Sequence, residues 1–540
     1  MNAGPHGLDE LSPFQLKDQL IRYARAECVS GAATHKFLNA GRGNPNWVAT
    51  TPREAFFLLG QFALAESKRV WDERDIGGMP DTAGIASRLD DFLRSSEPTP
   101  GLELLRASIE YGESELGFDA DAFVHELTDS VIGDNYPEPD RMLTHAERVV
   151  QRYLDKTMCG GHPPPGTFDL FAVEGGTAAM CYVFASLRAN RLLHSGDTIA
   201  LGTPIFTPYI ELPRLEDFSF PVIEIVQSRM AEGHHAWQYS DQEIDKLADP
   251  KIKAFFLVNP SNPASFAMQP STQQRLVNLV RDLRRDLIIL TDDVYGTFAE
   301  GFRSLAADLP RNTILVYSYS KHFGCTGWRL GVIGVHQDNI FDERLAALPE
   351  RDRMALRKRY GSLSTNPDEL RFIDRLVADS RDVALNHTAG LSLPQQAQMT
   401  LFSLFALLDR DDAYQRRCRQ IVKERLAALS RGLGLDIPAD PLRVAYYVDL
   451  DLAVWGRQVI GEDFAHYAAA HHAPLDLVIE LARRHGAVLL NGSGFEGPPW
   501  SVRVSLANLD AEAYESIGRD LKEMAQQALD EWRSSKGTRR

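Results

Sequence analysis

At 540 residues the chain is too long for one small core and long enough for two domains. Its 44% hydrophobic and 24% charged content is that of a soluble globular protein, and a formal net charge of −16 argues against a nucleic-acid partner. Five scattered cysteines imply no disulfide framework, residues 1–19 lack a basic start followed by an apolar run, and no segment approaches ~20 uninterrupted apolar residues, so a cytoplasmic protein without a membrane span is expected.

Leu8, Leu11, Phe14, Leu16, Leu20 and Ile21 predict an opening helix over 8–25, with Ser12-Pro13 as its start signal. The turn-forming run Gly41-Arg-Gly-Asn-Pro-Asn46 breaks the pattern, and a second helix is predicted over 52–71. Residues 72–162 are mixed, helical around 102–111 and 142–153, with Pro-rich breaks at 97–100, 136–139 and 163–165. A strand–helix alternation then begins. Strands are predicted at 168–173, 198–202, 254–258, 287–291, 314–319 and 330–335, and helices at 177–193 and 272–285. Most of these strands are continuous apolar runs, the pattern of strands buried on both faces. The alternation predicts an α/β domain with a mostly parallel sheet. Beyond Thr400 a charged helix over 409–433, strands at 444–452, 487–490 and 502–505, and a final helix over 511–532 predict a smaller α+β domain. The basic tail 534–540 is expected to be disordered. The expected division is an arm over 1–50 that joins the small domain, a large domain over 51–400 and a small domain over 401–540.

Residues with chemical potential fall at the predicted strand ends, where a parallel sheet binds ligands. Lys321 follows the hydroxyl-bearing run Ser318-Tyr-Ser320, and Arg329 lies further on between glycines. A partly desolvated lysine suits a Schiff base with an aldehyde, and an arginine fork suits a phosphate. Together they describe a site for pyridoxal 5′-phosphate (PLP), against the reading that both are ordinary surface charges. Gly175 and Gly176 would let backbone N–H groups approach a phosphate at the start of a helix, and Thr177 would add a hydroxyl; a plain turn capped by Thr177 fits as well. Phe206 offers an aromatic face, or core packing. Asn262, within Asn259-Pro-Ser-Asn-Pro263, offers an amide to a phenolate oxygen, although turn chemistry alone accounts for it. Asp292 at the end of a buried strand calls for a cation, which a protonated pyridine nitrogen would supply, with Tyr295 reaching the same ring. Asp293 is expected as a helix N-cap.

Taken in order, these motifs resemble the aspartate aminotransferase superfamily (class I/II) of fold-type I PLP enzymes, over most of the chain. The resemblance implies a large mostly parallel-sheet domain beside a smaller α+β domain. It also implies that Lys321 bonds the cofactor, Asp292 holds the pyridinium and Asn262 and Tyr295 bind the ring oxygen. Thr177, Ser318 and Arg329, with Gly175, Gly176 and Ser320, would hold the phosphate. Phe206 would stack on the ring, where the family usually has Trp or Tyr. Arg503, in Trp500-Ser-Val-Arg-Val-Ser505, matches the arginine that grips the substrate α-carboxylate. Tyr136 matches a tyrosine that reaches the neighbouring subunit's phosphate, which implies a homodimer at least and a larger homo-oligomer beyond it.

Excess chain near 72–165 and 336–388, with Leu38-Asn-Ala-Gly-Arg-Gly-Asn-Pro45 and Gly133-Asp-Asn-Tyr-Pro137, is similar to the bacterial aspartate 4-decarboxylases. That likeness implies β-decarboxylation of L-aspartate to L-alanine and CO2, with an aminotransferase side activity on 2-oxo acids. A conventional aminotransferase is the alternative. Gly41, Arg42, Thr388 and Ser392 are candidates for the substrate side, and Arg42 reads equally as a surface arginine of a turn. No metal is expected, because Cys159-Gly-Gly-His162 has no second half at zinc spacing. The arginines of 351–359 predict a charged helix face. A non-catalytic DNA-binding regulator would need a basic module that this acidic chain does not offer.

Overall fold

The computed structural model describes residues 13–29, 36–228, 230–231, 234–381, 390–463, 467 and 471–537. A seven-stranded sheet is built from β1 (Phe168–Val173), β2 (Thr198–Thr203), β3 (Val222–Val226), β4 (Ile252–Val258), β5 (Ile288–Asp292), β6 (Thr313–Ser318) and β7 (Gly331–His336). Its order is β1-β7-β6-β5-β4-β2-β3. Strands β3, β2, β4, β5 and β6 pair in parallel, and β7 alone runs against both of its neighbours. Every residue of β5 and β6 is buried, as their unbroken apolar runs require. Strand β3 was not expected. It lies at the sheet edge, is half exposed and is interrupted by Glu224, so it lacks a long apolar run.

Strand ends decide where the chemistry falls. β5 runs one residue past its predicted end, so Asp292 itself pairs with Val258 and Val316 in the ladder. β6 ends at Ser318, leaving Tyr319, Ser320 and Lys321 in the connection to β7.

Residues 13–165 are largely helical. α1 (Pro13–Val29), α2 (Thr50–Val70), α3 (Ile85–Ser95), α4 (Pro100–Leu116), α5 (Ala120–Ile132) and α6 (Thr144–Thr157) precede the sheet. The Thr99 hydroxyl accepts from the Leu102 N–H at the start of α4, and the Asp119 carboxylate accepts from Ala122 at the start of α5. Gly117 and Gly133 close these helices in the left-handed region. Leu59, Phe62, Leu89, Leu105, Phe123 and Leu127 form a core of their own that also takes in Leu401 and Leu404.

Helix α7 (Gly176–Ala189) follows β1 directly. The charged helix predicted from 409 begins later. α8 (Leu393–Leu408) and α9 (Ala413–Leu433) are separated by a break at Asp412, whose φ is +50°. The predicted charged face within 351–359 is a helix, Glu350–Tyr360, whose Arg357 pairs with Glu350 and Asp368.

A second, three-stranded antiparallel sheet joins β8 (Tyr447–Asp451), β9 (Leu490–Asn491) and β10 (Ser501–Ser505) in the order β8-β10-β9. The predicted strand 487–490 is split. Ala487–Val488 pairs in parallel with Leu38–Asn39, and only the remainder joins β10. The last helix, α10 (Ala511–Gly537), overruns its predicted end, so residues 534–537 are helical rather than disordered, and 538–540 lie outside the described residues. No helix among the described residues is long and apolar enough to cross a membrane.

Candidate active site

A cavity of about 280 Å³ opens at the carboxyl ends of β4, β5 and β6, marked by Val258, Asp292 and Ser318. Its other wall comes from Tyr447 on β8, Arg503 on β10 and Gly43 and Asn44 of the N-terminal segment. The sheet thus delivers its ligand face where parallel α/β sheets usually do.

One end of the cavity suits an anion. Gly175 takes a φ of +89°, and no side chain caps the N-terminus of α7, leaving the first-turn N–H groups of Gly176 and Thr177 to an external acceptor. A Cβ at Gly175 would lie 2.9 Å from Arg329 Nη2. Arg329 is aimed by backbone: Nη2 donates to Glu174 O and Nη1 to Thr326 O, both at 3.0 Å. The Ser318 hydroxyl donates to Leu330 O at 3.1 Å and stands 3.0 Å from Ser320 Oγ.

At the base lies Asp292. The Tyr209 hydroxyl donates to its Oδ2 at 3.4 Å and the Val294 N–H to its Oδ1 at 3.3 Å. Burial pushes its carboxyl up to about 6, against the pull of those two hydrogen bonds and of Lys321. Such a carboxyl favours a cationic neighbour. Asp293, expected as a helix N-cap, is instead fully buried and accepts from Thr291 Oγ1 at 2.5 Å. The chain turns there into a short helical turn at Gly296–Phe298, so no helix begins for Asp293 to cap. Burial raises this second carboxyl to about 7.

The remaining wall is cationic. Lys321 Nζ donates to Gly43 O at 3.2 Å, and the Tyr446 hydroxyl donates to the same oxygen at 2.8 Å. Arg503 is 2% exposed; its Nη1 donates to Asn262 Oδ1 at 3.1 Å and its Nη2 to Gly41 O at 3.2 Å. The guanidinium lies over the rings of Tyr447, at 4.4 Å, and Phe495, at 4.7 Å. Asn262 therefore spends its carbonyl oxygen on Arg503 and keeps its amide NH2 for the cavity. The Tyr295 hydroxyl donates to the Tyr447 hydroxyl at 3.0 Å. Burial, with Tyr447 and Tyr446 nearby, holds the Tyr295 phenol well above its ordinary value. For Tyr447 burial acts the same way, but Lys321, Arg503 and the Tyr295 hydrogen bond outweigh it and leave the phenol below its ordinary value.

Eleven of the sequence-predicted residues line this one cavity: Gly176, Thr177, Phe206, Asn262, Asp292, Tyr295, Ser318, Ser320, Lys321, Arg329 and Arg503. Gly175 and Gly41 sit one layer behind, against Arg329 and Arg503. Arg42 is exposed and outside the lining, in keeping with its reading as a surface arginine. Ser392 is also exposed and donates to Gln395 Oε1 at 2.8 Å at the start of α8, a helix-capping position rather than a substrate wall. Thr388 lies outside the described residues. Tyr136 is 77% exposed beside a separate surface hollow with Arg141 and Asp374, away from the cavity of its own chain. Sequence reasoning missed Tyr209 and Tyr447. Tyr209 was within reach, three residues after Phe206 in the same Pro-led turn, whereas nothing local separates Tyr447 from its neighbour Tyr446.

Residues 174–519 match the model of the aminotransferase class I and II family. Over 536 residues, 99% of each chain, the protein is 48% identical to the bifunctional aspartate aminotransferase and L-aspartate beta-decarboxylase of a Pseudomonas species. It is 30% identical to an aspartate aminotransferase of Sulfolobus acidocaldarius over 152 residues, 27% of this chain and 36% of that one. Among solved structures, the aspartate aminotransferase of Rhizobium meliloti superposes with a TM-score of 0.58 at 13% identity, covering 97% of this chain and 99% of the other, a likeness of fold. With the family model covering well over half of the chain and a relative aligned over 99% of it, the chain belongs to the class I and II aminotransferases.

Proposed function

We propose that the protein binds PLP in this cavity and converts L-aspartate to L-alanine and CO2, with a side transamination of aspartate onto 2-oxo acids. One observation carries the reading. The Lys321 amine, the buried Asp292 carboxyl, the uncapped α7 N-terminus beside Arg329 and the Arg503 fork all face a single cavity. Each meets a different part of a PLP-bound amino acid.

PLP supplies an electron sink for bonds broken at the substrate. Lys321 would bond its aldehyde. Thr177, Ser318, Ser320 and Arg329 would hold its phosphate with the α7 backbone, Phe206 would cover its ring, and Asn262 and Tyr295 would meet the ring oxygen. Asp292, whose carboxyl is easily protonated when alone, would ionise opposite the ring-nitrogen cation. Arg503 would take the substrate α-carboxylate as a fork, its plane already fixed by Asn262, Gly41 and two aromatic faces. Lys321 Nζ, once free, would accept the Cα proton of the substrate and return it.

The fate of the substrate then turns on its distal carboxylate. An arginine fork there would stabilise the charged ground state through contacts that vanish as CO2 forms, which raises the barrier. Among the described residues of the lining, the arginines are Arg329 at the anion end and Arg503, while the N-terminal segment presents uncharged Gly43 and Asn44. That favours loss of CO2, as does the end-to-end likeness to a relative named for both activities. Tyr136, exposed and outside the lining of its own chain's cavity, fits an active unit of at least a homodimer, and four free cysteines among the described residues fit a cytoplasmic setting. Purified protein given PLP and aspartate alone should release CO2 and accumulate alanine. Oxaloacetate formed only after a 2-oxo acid is added, with no CO2 from aspartate, would make it a conventional aminotransferase instead.

A further inference from the structure

β-Decarboxylation demands a proton that transamination does not: the carbon that loses CO2 must gain one. We infer that Tyr447 is a further catalytic residue, whose hydroxyl delivers that proton to the substrate Cβ. The inference rests on the decarboxylase reading above.

The cavity offers few acids. Its lining holds Lys321, Tyr209, Asp292, Tyr295 and Tyr447, besides two arginines that do not release protons. Lys321 is occupied with the Cα proton. Tyr209 and Asp292 are hydrogen-bonded to each other at the base, and Tyr295 donates its proton to Tyr447. The Tyr447 hydroxyl only accepts: among the described residues no protein group receives its proton. Its O–H is therefore available to whatever fills the cavity.

Position favours the same group. Arg503 stacks on the Tyr447 ring at 4.4 Å, so the phenol adjoins the anchor for the α-carboxylate. A Cβ at Gly43 would lie 2.6 Å from the Tyr447 hydroxyl oxygen and 3.2 Å from Lys321 Nζ. The absent side chain at Gly43 keeps clear the space between base and phenol. Against its burial, the charges of Lys321 and Arg503 make this phenol a stronger acid than an ordinary tyrosine in the cofactor-free fold, and Arg503 keeps its pull once Lys321 has given up its charge.

The step balances without an added redox partner. The bond from Cβ to the carboxylate carbon breaks, CO2 leaves without the bonding pair, and that pair forms the new Cβ–H bond with the Tyr447 proton. The phenolate left behind is held by the Tyr295 hydrogen bond and recovers its proton from solvent as the product leaves. Each turnover exchanges one proton for one CO2.

The ratio of alanine to oxaloacetate tests the idea, measured with aspartate and a 2-oxo acid together on PLP-loaded protein. In Tyr447→Phe the ratio should fall at least tenfold, since only the alanine branch uses the proton at Cβ. An unchanged ratio, whether both products persist or fall together, would overturn the role. As a second variant, 3-fluorotyrosine at position 447 keeps the shape and gives a more acidic phenol. The alkaline limb of alanine formation should then move to lower pH, and an unmoved limb would overturn the role. Wild-type protein that makes no alanine at all would sink the decarboxylase reading first, a result distinct from both.

Discussion

Arg503 Nη1 meets Asn262 Oδ1 at 3.1 Å, joining two residues 241 positions apart. A strand of the smaller sheet carries the arginine, and the loop after β4 carries the amide. The proposed substrate anchor and the proposed ring contact are thereby set against each other by one hydrogen bond. Arg503→Lys keeps the charge but loses the fork and the Asn262 contact. With charge-assisted hydrogen bonds contributing about 1.5–3 kcal/mol, the Michaelis constant for aspartate should rise roughly ten- to a hundredfold. Steady-state kinetics that return the wild-type constant would exclude this anchor.

Lys321→Ala should still take up PLP through the anion end and the base, yet lose the covalent link and essentially all turnover. Borohydride reduction of the loaded wild type, followed by peptide mapping, should place the label on Lys321. A label on another lysine would move the site.

Stability of the cofactor-free protein should fall as pH rises. Asp292 and Asp293 titrate at about 6 and about 7 in the fold, against ~3.9 in an unfolded chain. Between these values the folded state binds more protons. Their contribution is thus fully present below ~4 and is lost as pH climbs through 6 and then 7. If PLP binds as proposed, its ring-nitrogen cation would lie beside Asp292 and should remove that residue's share of the slope, leaving that of Asp293. Melting temperatures of loaded and cofactor-free protein across this range should therefore diverge with rising pH. Parallel curves would mean that Asp292 does not face the ring nitrogen.

Tyr136 supplies a test of shared sites. Mixing inactive Lys321→Ala chains with inactive Tyr136→Phe chains should restore part of the activity, because a hybrid dimer holds one site with both side chains. Hybrids shown to form by mass spectrometry, but lacking activity, would confine Tyr136 to its own chain.

Locality decides how much of this was legible in the sequence. Thr177, Asn262, Asp292 and Lys321 each come soon after an apolar run, at its end or in the turn or helix start that follows, so their place at the carboxyl ends of the strands could be read along the chain. The contacts that complete the site could not. Gly41 on Arg503, and Gly43 beneath Tyr446 and Lys321, join segments hundreds of residues apart. Tyr447 takes its meaning from Tyr295, Lys321 and Arg503, none of them nearby in sequence. Helices α3 and α5 escaped notice although their signals are local: Ile85, Leu89 and Leu93 keep helical spacing in α3, and the Asp119 cap and Gly133 stop of α5 were there to be read. In the other direction, Asp293 shows a capping residue type in a place where no helix starts.

The two sheets divide the labour of the site. Residues proposed for the cofactor stand at the edge of the seven-stranded sheet, whereas Tyr447 and Arg503 stand on β8 and β10. Two hydrogen bonds tie the groups together, Arg503 to Asn262 and Tyr295 to Tyr447, so a change on the smaller sheet is felt by the residues proposed for the ring through those two contacts. Retuning the proposed substrate side is therefore a matter of β8, β10 and the segment around Gly43, provided the Asn262 and Tyr295 contacts are kept.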